Sequence, residues 1–359
     1  MKIKSLLIGS AAAMVLSTGA RAADAVVYAE PEPMEYVRIC DVYGSGFFYI
    51  PGTETCLRIG GYFRVQVNLG ELNNNFIDGY NSYARFTPTF DVRSQTEWGT
   101  LRGYAEVELT WASNGSGTAT NLAHAFIDIG DENFLRIGRS WAWTSLWTGP
   151  GFNVNDGFYN RQGVNQITYF FNATRNGGNV SGGAGFSGFV SVVDSNVDDT
   201  WSTDVEAGLG YNWGSGSFRL AAAYMDTPYA GATEAAWAVR AGVSQKFGSV
   251  TANLSALYND GPKAGGLVQA NRYRLGGGST FSVLGGLSVA FSPKAAAVLT
   301  AQWWNEESNN NIGANWYFAA GVDLKPITGF RIRPEINYID YHNGGGDSWG
   351  GVIRLQRDF

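Results

Sequence analysis

From Leu57 to Phe359 the chain is a succession of strand-length segments in which apolar and polar side chains alternate, separated by clusters of Gly, Asn, Asp and Ser. A period of two sends successive side chains to opposite faces of a strand, so each segment carries one apolar and one polar face. In the first, Ile59, Phe63, Val65, Val67 and Leu69 oppose Arg58, Tyr62, Arg64, Gln66 and Asn68. In the second, Ala84, Phe86, Phe90 and Val92 oppose Arg85, Thr87, Thr89, Asp91, Arg93 and Gln95; in the third, Leu101, Ala105, Val107, Leu109 and Trp111 oppose Arg102, Tyr104, Glu106, Glu108 and Thr110. The pattern persists through Val205, Leu209 and Tyr211, through Phe281, Val283 and Leu287, and through Phe330, Ile332 and Ile336. We count about sixteen such segments, a number at which a closed barrel encloses an aqueous lumen.

A soluble β-sandwich alternates as well, but its core is built of branched aliphatics, and an uninterrupted all-β run of roughly 300 residues exceeds one such domain. Here aromatics recur near segment ends, where a membrane barrel carries its interfacial girdles. Only 16% of the residues are charged, while 48 are glycine and 14% aromatic, as suits a wall whose lipid-facing and water-facing side chains average out. After Ala22 no stretch approaches the roughly 18 apolar residues of a membrane-crossing helix. The sequence therefore predicts an all-β fold, a transmembrane antiparallel β-barrel of about 16 strands.

The start, Met1-Lys2-Ile3-Lys4, an apolar stretch from Ser5 to Ala20 and the small-x-small site Ala20-Arg21-Ala22, reads as a cleaved export signal over residues 1–22. Its apolar core is shorter than the roughly 20 residues needed to span a bilayer. Without Lys2, Lys4 and Arg21 the chain keeps 22 basic against 31 acidic residues, a balance that disfavours nucleic acid as a partner. Cys40 and Cys56 meet an oxidising compartment, and a disulfide is the first reading, two separate thiols the other. Neither a metal nor a cofactor is expected: two cysteines do not make a zinc site, and the only histidines, His124 and His342, stand far off in sequence. Ala29-Glu30-Pro31-Glu32-Pro33 reads as an extended spacer. The expected partition is a leader over 1–22, a periplasmic N-terminal segment with Cys40 and Cys56 over 23–56, and the barrel over 57–359.

At the C-terminus Trp349, Ile353, Leu355 and Phe359 share one parity, and Arg354, Gln356 and Asp358 the other. An alternating last strand ending in Phe359 is similar to the signal by which outer-membrane proteins are handed to the barrel-assembly machinery. Pro88 and Pro334 fit less well, because each falls on a lipid-facing position inside a strand and removes a ladder N–H unless a bulge accommodates it.

The run from Tyr36-Val37-Arg38-Ile39-Cys40 through Tyr43-Gly44-Ser45-Gly46-Phe47-Phe48-Tyr49-Ile50-Pro51-Gly52 to Cys56-Leu57-Arg58-Ile59-Gly60-Gly61-Tyr62 resembles the start of the general porins of alphaproteobacteria. Ala23-Asp24-Ala25, Arg136-Ile137-Gly138-Arg139 before a long loop, Asn165-Gln166-Ile167-Thr168-Tyr169 and the Arg354 to Phe359 ending match as well. The resemblance implies a sixteen-stranded barrel in the outer-membrane lipid of a Gram-negative cell. It also implies a homotrimer, a third external loop folded into the lumen as a constriction, and passive diffusion of small hydrophilic solutes and ions.

A channel selects by pore size and by the field along its wall. Inward parity on the first three strands gives Arg58, Arg64, Arg85, Arg93 and Arg102, and on the last two Arg331, Arg333 and Arg354. Closure of the barrel places all eight on one arc, able to orient solutes and attract anions. The alternative is that several are tied to the inward-facing carboxylates Asp91, Glu106, Glu108 and Glu335, or lie at the rims, since parity sets the face and not the depth.

The segment from Ser140 to about Asn160 is the candidate constriction loop, with Trp141, Trp143, Trp147 and a single carboxylate, Asp156. Its tryptophans either form a stacking track for sugar rings or pack the loop against the wall. Arg139, whose parity points at lipid, is expected beyond the strand end. No G-x-S-x-G, H-E-x-x-H or phosphate-binding Gly-Lys-Ser/Thr motif occurs, and Glu306 and Glu307 read as a loop pair, so no enzyme is expected. The reading is a water-filled passive channel, with a sugar-selective channel and a structural or adhesin barrel as alternatives.

Overall fold

The computed structural model describes residues 38–70, 79–113, 117–148, 151–154, 163–194, 203–226, 235–261, 280–308, 311–341 and 346–359. The leader, the proline-rich spacer, Asp156 and His342 lie outside these residues. Along the chain come β1 (Phe48–Tyr49), β2 (Cys56–Gly70), β3 (Tyr80–Thr96), β4 (Gly99–Ala112), β5 (Gly117–Gly130), β6 (Phe134–Trp141) and the short helix α1 (Trp143–Thr148). There follow β7 (Gly163–Phe171), the hairpin β8 (Ala173–Asn176) and β9 (Asn179–Gly182), β10 (Gly185–Asp194), β11 (Thr203–Asn212), β12 (Gly216–Met225) and β13 (Ala236–Phe247). The last six are β14 (Val250–Asp260), β15 (Thr280–Ser292), β16 (Ala295–Ser308), β17 (Asn311–Ile327), β18 (Phe330–Tyr341) and β19 (Gly346–Asp358).

Successive wall strands pair antiparallel, β7 pairs with β10 across the hairpin, and β19 pairs with β2 from Gly350↔Gly70 to Asp358↔Tyr62. The result is a closed barrel of 16 strands. Closure satisfies every edge, which a membrane demands because hydrocarbon offers no partner to a free N–H or C=O. Phe359 completes the seam: its backbone exchanges hydrogen bonds with Gly61 at 3.0 and 3.2 Å, and its ring lies 5.5 Å from Phe63 and 6.3 Å from Phe86.

The two faces divide as the alternation requires. Ile59, Phe63, Val65, Leu101, Leu109 and Trp111 are exposed on the outside, whereas Gln66, Thr87, Asp91, Arg102 and Tyr104 are buried within. Exposed aromatics gather at both ends of the strands. Trp98, Trp213, Phe247 and Phe291 stand by the short turns, and Tyr80, Tyr224 and Trp237 by the long connections, as in the girdles of a membrane barrel.

The register runs through both awkward prolines. Pro88 sits opposite Gly61, whose φ is +141°, and a Cβ there would fall 2.0 Å from the Thr87 carbonyl oxygen; only glycine allows this approach. Pro334 keeps its place opposite Ile353, while the pairing toward β17 lapses between Gly321↔Glu335 and Leu324↔Ile332. The missing N–H is absorbed by a gap in one ladder, not by a bulge at the proline. Two placements differ from expectation. Arg139 lies inside β6, where its outward guanidinium folds back onto the carbonyl oxygens of Leu122 at 2.7 Å and Gly163 at 3.1 Å. Glu306 and Glu307 lie in β16, opposite Gly313 and Ile312, and not in a loop.

Candidate functional site

The connection after β6 turns into the lumen. Trp143 and Trp147 are wholly buried and pack with Phe134, Phe170, Val180 and Phe189. Farther round, Thr144 donates through its backbone N–H at 2.6 Å and its hydroxyl at 2.9 Å to the Glu206 carboxylate on β11. Trp147 Nε1 donates to the Leu209 carbonyl at 3.1 Å, and the Arg219 guanidinium stands 5.1 Å from the Trp147 ring. Residues 152–154 reach other strands. The Val154 N–H donates to Glu335 at 2.6 Å, Thr300 to the Asn153 side-chain oxygen at 2.8 Å, and Arg333 to the Phe152 carbonyl. The loop therefore touches the inner wall on β11 and β12 and again on β16 and β18. Trp141, read as a loop residue, is the last residue of β6.

The arginines divide into two groups by what they meet. At the short-turn end, cross-strand pairing sets Arg93 opposite Arg102, Arg102 opposite Asp128, and Asp128 opposite Arg136. Asp91 receives Arg93 at 2.8 Å, Arg102 at 2.9 Å and Arg58 at 3.4 Å. Asp128 receives Arg136 at 2.7 Å, Arg102 at 3.2 Å and, from the β8–β9 hairpin, Arg175 at 3.2 Å. Two carboxylates thus serve five guanidiniums. Main-chain carbonyls of Gly130, Gly177 and Gly178 accept from Arg175, Arg102 and Arg136. Ring faces take up more of the charge, with Phe126 3.5 Å from Arg136 and Tyr104 4.7 Å from Arg102.

This cluster is roofed by the N-terminal lobe, where the Cys40–Cys56 disulfide spans a Cα–Cα distance of 6.0 Å. Cys40, Phe47 and Cys56 are buried there with Tyr43 and Tyr49 against them. The Phe47 ring lies 4.9 Å from the Arg58 guanidinium and 5.0 Å from that of Arg93.

The second group lies nearer mid-strand. Arg64 bonds the Gln356 side-chain oxygen at 2.8 and 2.9 Å, and Arg354 the Gln66 oxygen at 2.6 Å. Arg354 stands opposite Arg333, Arg64 opposite Arg85, and Arg354 is within electrostatic reach of both Arg64 and Arg333. Among the described residues neither Arg64 nor Arg354 has a carboxylate at ion-pair distance. Arg85 does, with Glu108 at 2.6 Å, and Asp323 stands 3.3 Å from Arg331 and 3.9 Å from Arg333.

The eight arginines expected on one arc do lie on five adjacent strands, β18, β19, β2, β3 and β4. They are not one surface, however. Arg102 is fully buried and its fork is occupied, unlike the open wall residue that parity alone suggests. Of the acidic candidates, Asp91 is enclosed by arginines, Glu106 accepts from Tyr104 at 3.1 Å, Glu108 holds Arg85 and Glu335 anchors the loop. Asp128, Arg136 and Arg175 were not singled out from the sequence. The signal available for the first two was inward parity on β5 and β6, which a bulge at Ala123 obscures: Glu106 faces His124 but Val107 faces Leu122.

The Porin subfamily model matches residues 24–351. Porin Omp2b of Brucella abortus (strain 2308) is 33% identical over 394 residues, covering 100% of both chains. Porin Omp2b of Brucella suis biovar 1 (strain 1330) is 33% identical over 398 residues with the same coverage. Among solved structures, the outer membrane channel DcaP of Acinetobacter baumannii matches with a TM-score of 0.65 over 87% of this chain and 99% of that one, at 14% identity. An anion-selective porin from Comamonas acidovorans matches with a TM-score of 0.59 over 85% and 100%, at 14% identity. At such identities the two structures bear on the fold alone.

Proposed function

This chain belongs to the porin subfamily, and we propose that its lumen favours anions among the small hydrophilic solutes it passes, through Arg354 and Arg64. The channel itself is passive and water-filled, as its family implies. One observation carries the preference: Arg354 faces the lumen bonded to a neutral glutamine, beside two further arginines, with no carboxylate paired to it among the described residues. A guanidinium so placed keeps its charge and its field reaches the water-filled path.

Packing of the loop is the reading favoured over a sugar track for Trp143 and Trp147, which are wholly buried and offer no ring face to a sugar, whereas Trp141 is half-buried. In the cell the leader over 1–22 is removed, the segment over 23–56 and the short turns face the periplasm, three copies associate, and Phe359 presents the ending read by the assembly machinery. Conductance of the refolded mature protein in a planar bilayer tests the reading. Openings in steps of three with a reversal potential of anionic sign under a salt gradient are expected. A potential of cationic sign overturns the preference while leaving the channel intact.

A further inference from the structure

We propose that the β8–β9 hairpin is a second constriction of this channel, entering the lumen from the short-turn end and setting the size limit together with the loop that enters from the other end. The inference rests on the porin reading above. Its starting point is length: at this end the other connections between wall strands take two or three residues, such as 97–98, 131–133 and 248–249, whereas β7 and β10 are joined by residues 172–184. The added chain forms an antiparallel hairpin whose tip is Asn176-Gly177-Gly178-Asn179, with Gly177 at φ +58°, a two-residue glycine turn of the kind that hairpins favour.

The tip is seated on the inner wall. The Gly177 carbonyl accepts from Arg102 at 2.8 Å and the Gly178 carbonyl from Arg136 at 2.7 Å, and both arginines face inward and are fully buried. A Cβ on Gly178 would fall 2.4 Å from the His124 ring, and one on Gly177 would fall 3.3 Å from the Tyr104 hydroxyl. Arg175 ties the first strand of the hairpin to Asp128 at 3.2 Å and to the Gly130 carbonyl at 2.6 Å. On the second strand Val180 is buried in the same cluster as Trp143 and Trp147, and a Cβ on Gly182 would lie 3.6 Å from the Trp147 ring. The two inward elements, from opposite mouths, therefore meet inside the barrel.

Charge explains why the hairpin enters. Buried guanidiniums that outnumber their carboxylates need other acceptors, and the carbonyls of Gly177 and Gly178 supply them. Without the tip, Arg102 and Arg136 would look into the lumen. A two-stranded ribbon with strands about 4.8 Å apart and a thickness of about 10 Å takes up roughly 100 Å² of cross-section, against β4, β5 and β6.

The test uses the full mature protein in planar bilayers. Replacing residues 174–181 by a Gly-Ser link should raise single-channel conductance, from the area freed. It should also admit larger neutral polyethylene glycols from the short-turn side. Unchanged conductance and polymer cutoff in a variant that folds overturn the proposal. Should the shortened chain fail to fold, Thr174→Cys decides, since Thr174 is exposed on the hairpin and the two native cysteines are joined to each other. Labelling it with a bulky methanethiosulfonate reagent should step the conductance down, and conductance unmoved by complete labelling overturns the proposal equally. A wild-type protein that never conducts would instead defeat the porin reading.

Discussion

Replacing Arg354 by glutamine removes a lumenal charge without leaving a carboxylate unpaired, because its bonded partner is the neutral Gln66. The change also relieves repulsion from Arg64 and Arg333, so folding should be unaffected. A unit charge about 5 Å from a passing ion is worth about 0.8 kcal/mol in bulk-water dielectric, and a Debye length of about 10 Å at 0.1 M salt reduces this to about 0.5 kcal/mol. Neutralisation acts with opposite sign on anions and cations, so their permeability ratio should move by about 1 kcal/mol, roughly fivefold, toward cations. Arg93 is the internal comparison. It is bonded to Asp91 and covered by Phe47 and Tyr43, which holds ions about 10 Å away, where the same arithmetic leaves less than about a twofold change. Reversal potentials of wild type, Arg354→Gln and Arg93→Gln under one salt gradient read all three. At about 1 M salt, where the Debye length is about 3 Å, the Arg354 effect should shrink to about twofold. No shift for Arg354→Gln, or an equal shift for Arg93→Gln, refutes the reasoning.

Replacing Cys40 and Cys56 together by serine should cost about 3 kcal/mol, the usual effect of opening a loop of this length, measured as earlier proteolysis of the lobe at residues 39–56. Trp143→Ala should lower stability by about 3–5 kcal/mol in a denaturant titration, because it empties a wholly buried indole site. An oligosaccharide should fail to block the wild-type channel and the variant alike, and a saturable block relieved by Trp143→Ala would restore the sugar-track reading. Deleting Phe359 should reduce insertion into the outer membrane, measured as the folded fraction in isolated membranes.

The alternation carried the wall: Phe63 and Val65 against Arg64 and Gln66 fixes which side meets lipid, and the same parity recurs strand after strand to Leu355 against Arg354. A closed barrel was legible because so many half-apolar segments have no other way to cover their edges. The cysteine pair was legible from compartment and spacing. Depth was not, since a period of two says nothing about position along the axis. Arg58, Arg93 and Arg102 therefore looked equivalent to Arg64 and Arg354, although a ring of the lobe packs on the first two and the hairpin tip on the third. The hairpin itself was signalled by Asn176-Gly177-Gly178-Asn179, a strong turn pattern, but its flanking strands are four residues each and too short to announce themselves by alternation.

What separates Arg102 and Arg136 from Arg64 and Arg354 is access to water: the first two are fully buried and the last two half-buried on the lumen wall. Arg93 opposite Arg102 and Arg333 opposite Arg354 are the same unfavourable cross-strand pair, yet the first is surrounded by Asp91, Asp128, glycine carbonyls and ring faces, and the second keeps glutamine beside Arg354. A guanidinium shut away from solvent must recover its lost hydration from fixed acceptors, so Arg102 and Arg136 need carboxylates and also draw in the tip of a hairpin. One that borders a wet lumen is hydrated by the pore itself, and its charge can stay uncompensated at little cost. The hairpin and the loop each fill part of the lumen, the first against β4 to β6 and the second against β11, β12, β16 and β18. Pore size and selectivity are, on this view, consequences of one division of the same residue type between dry and wet positions.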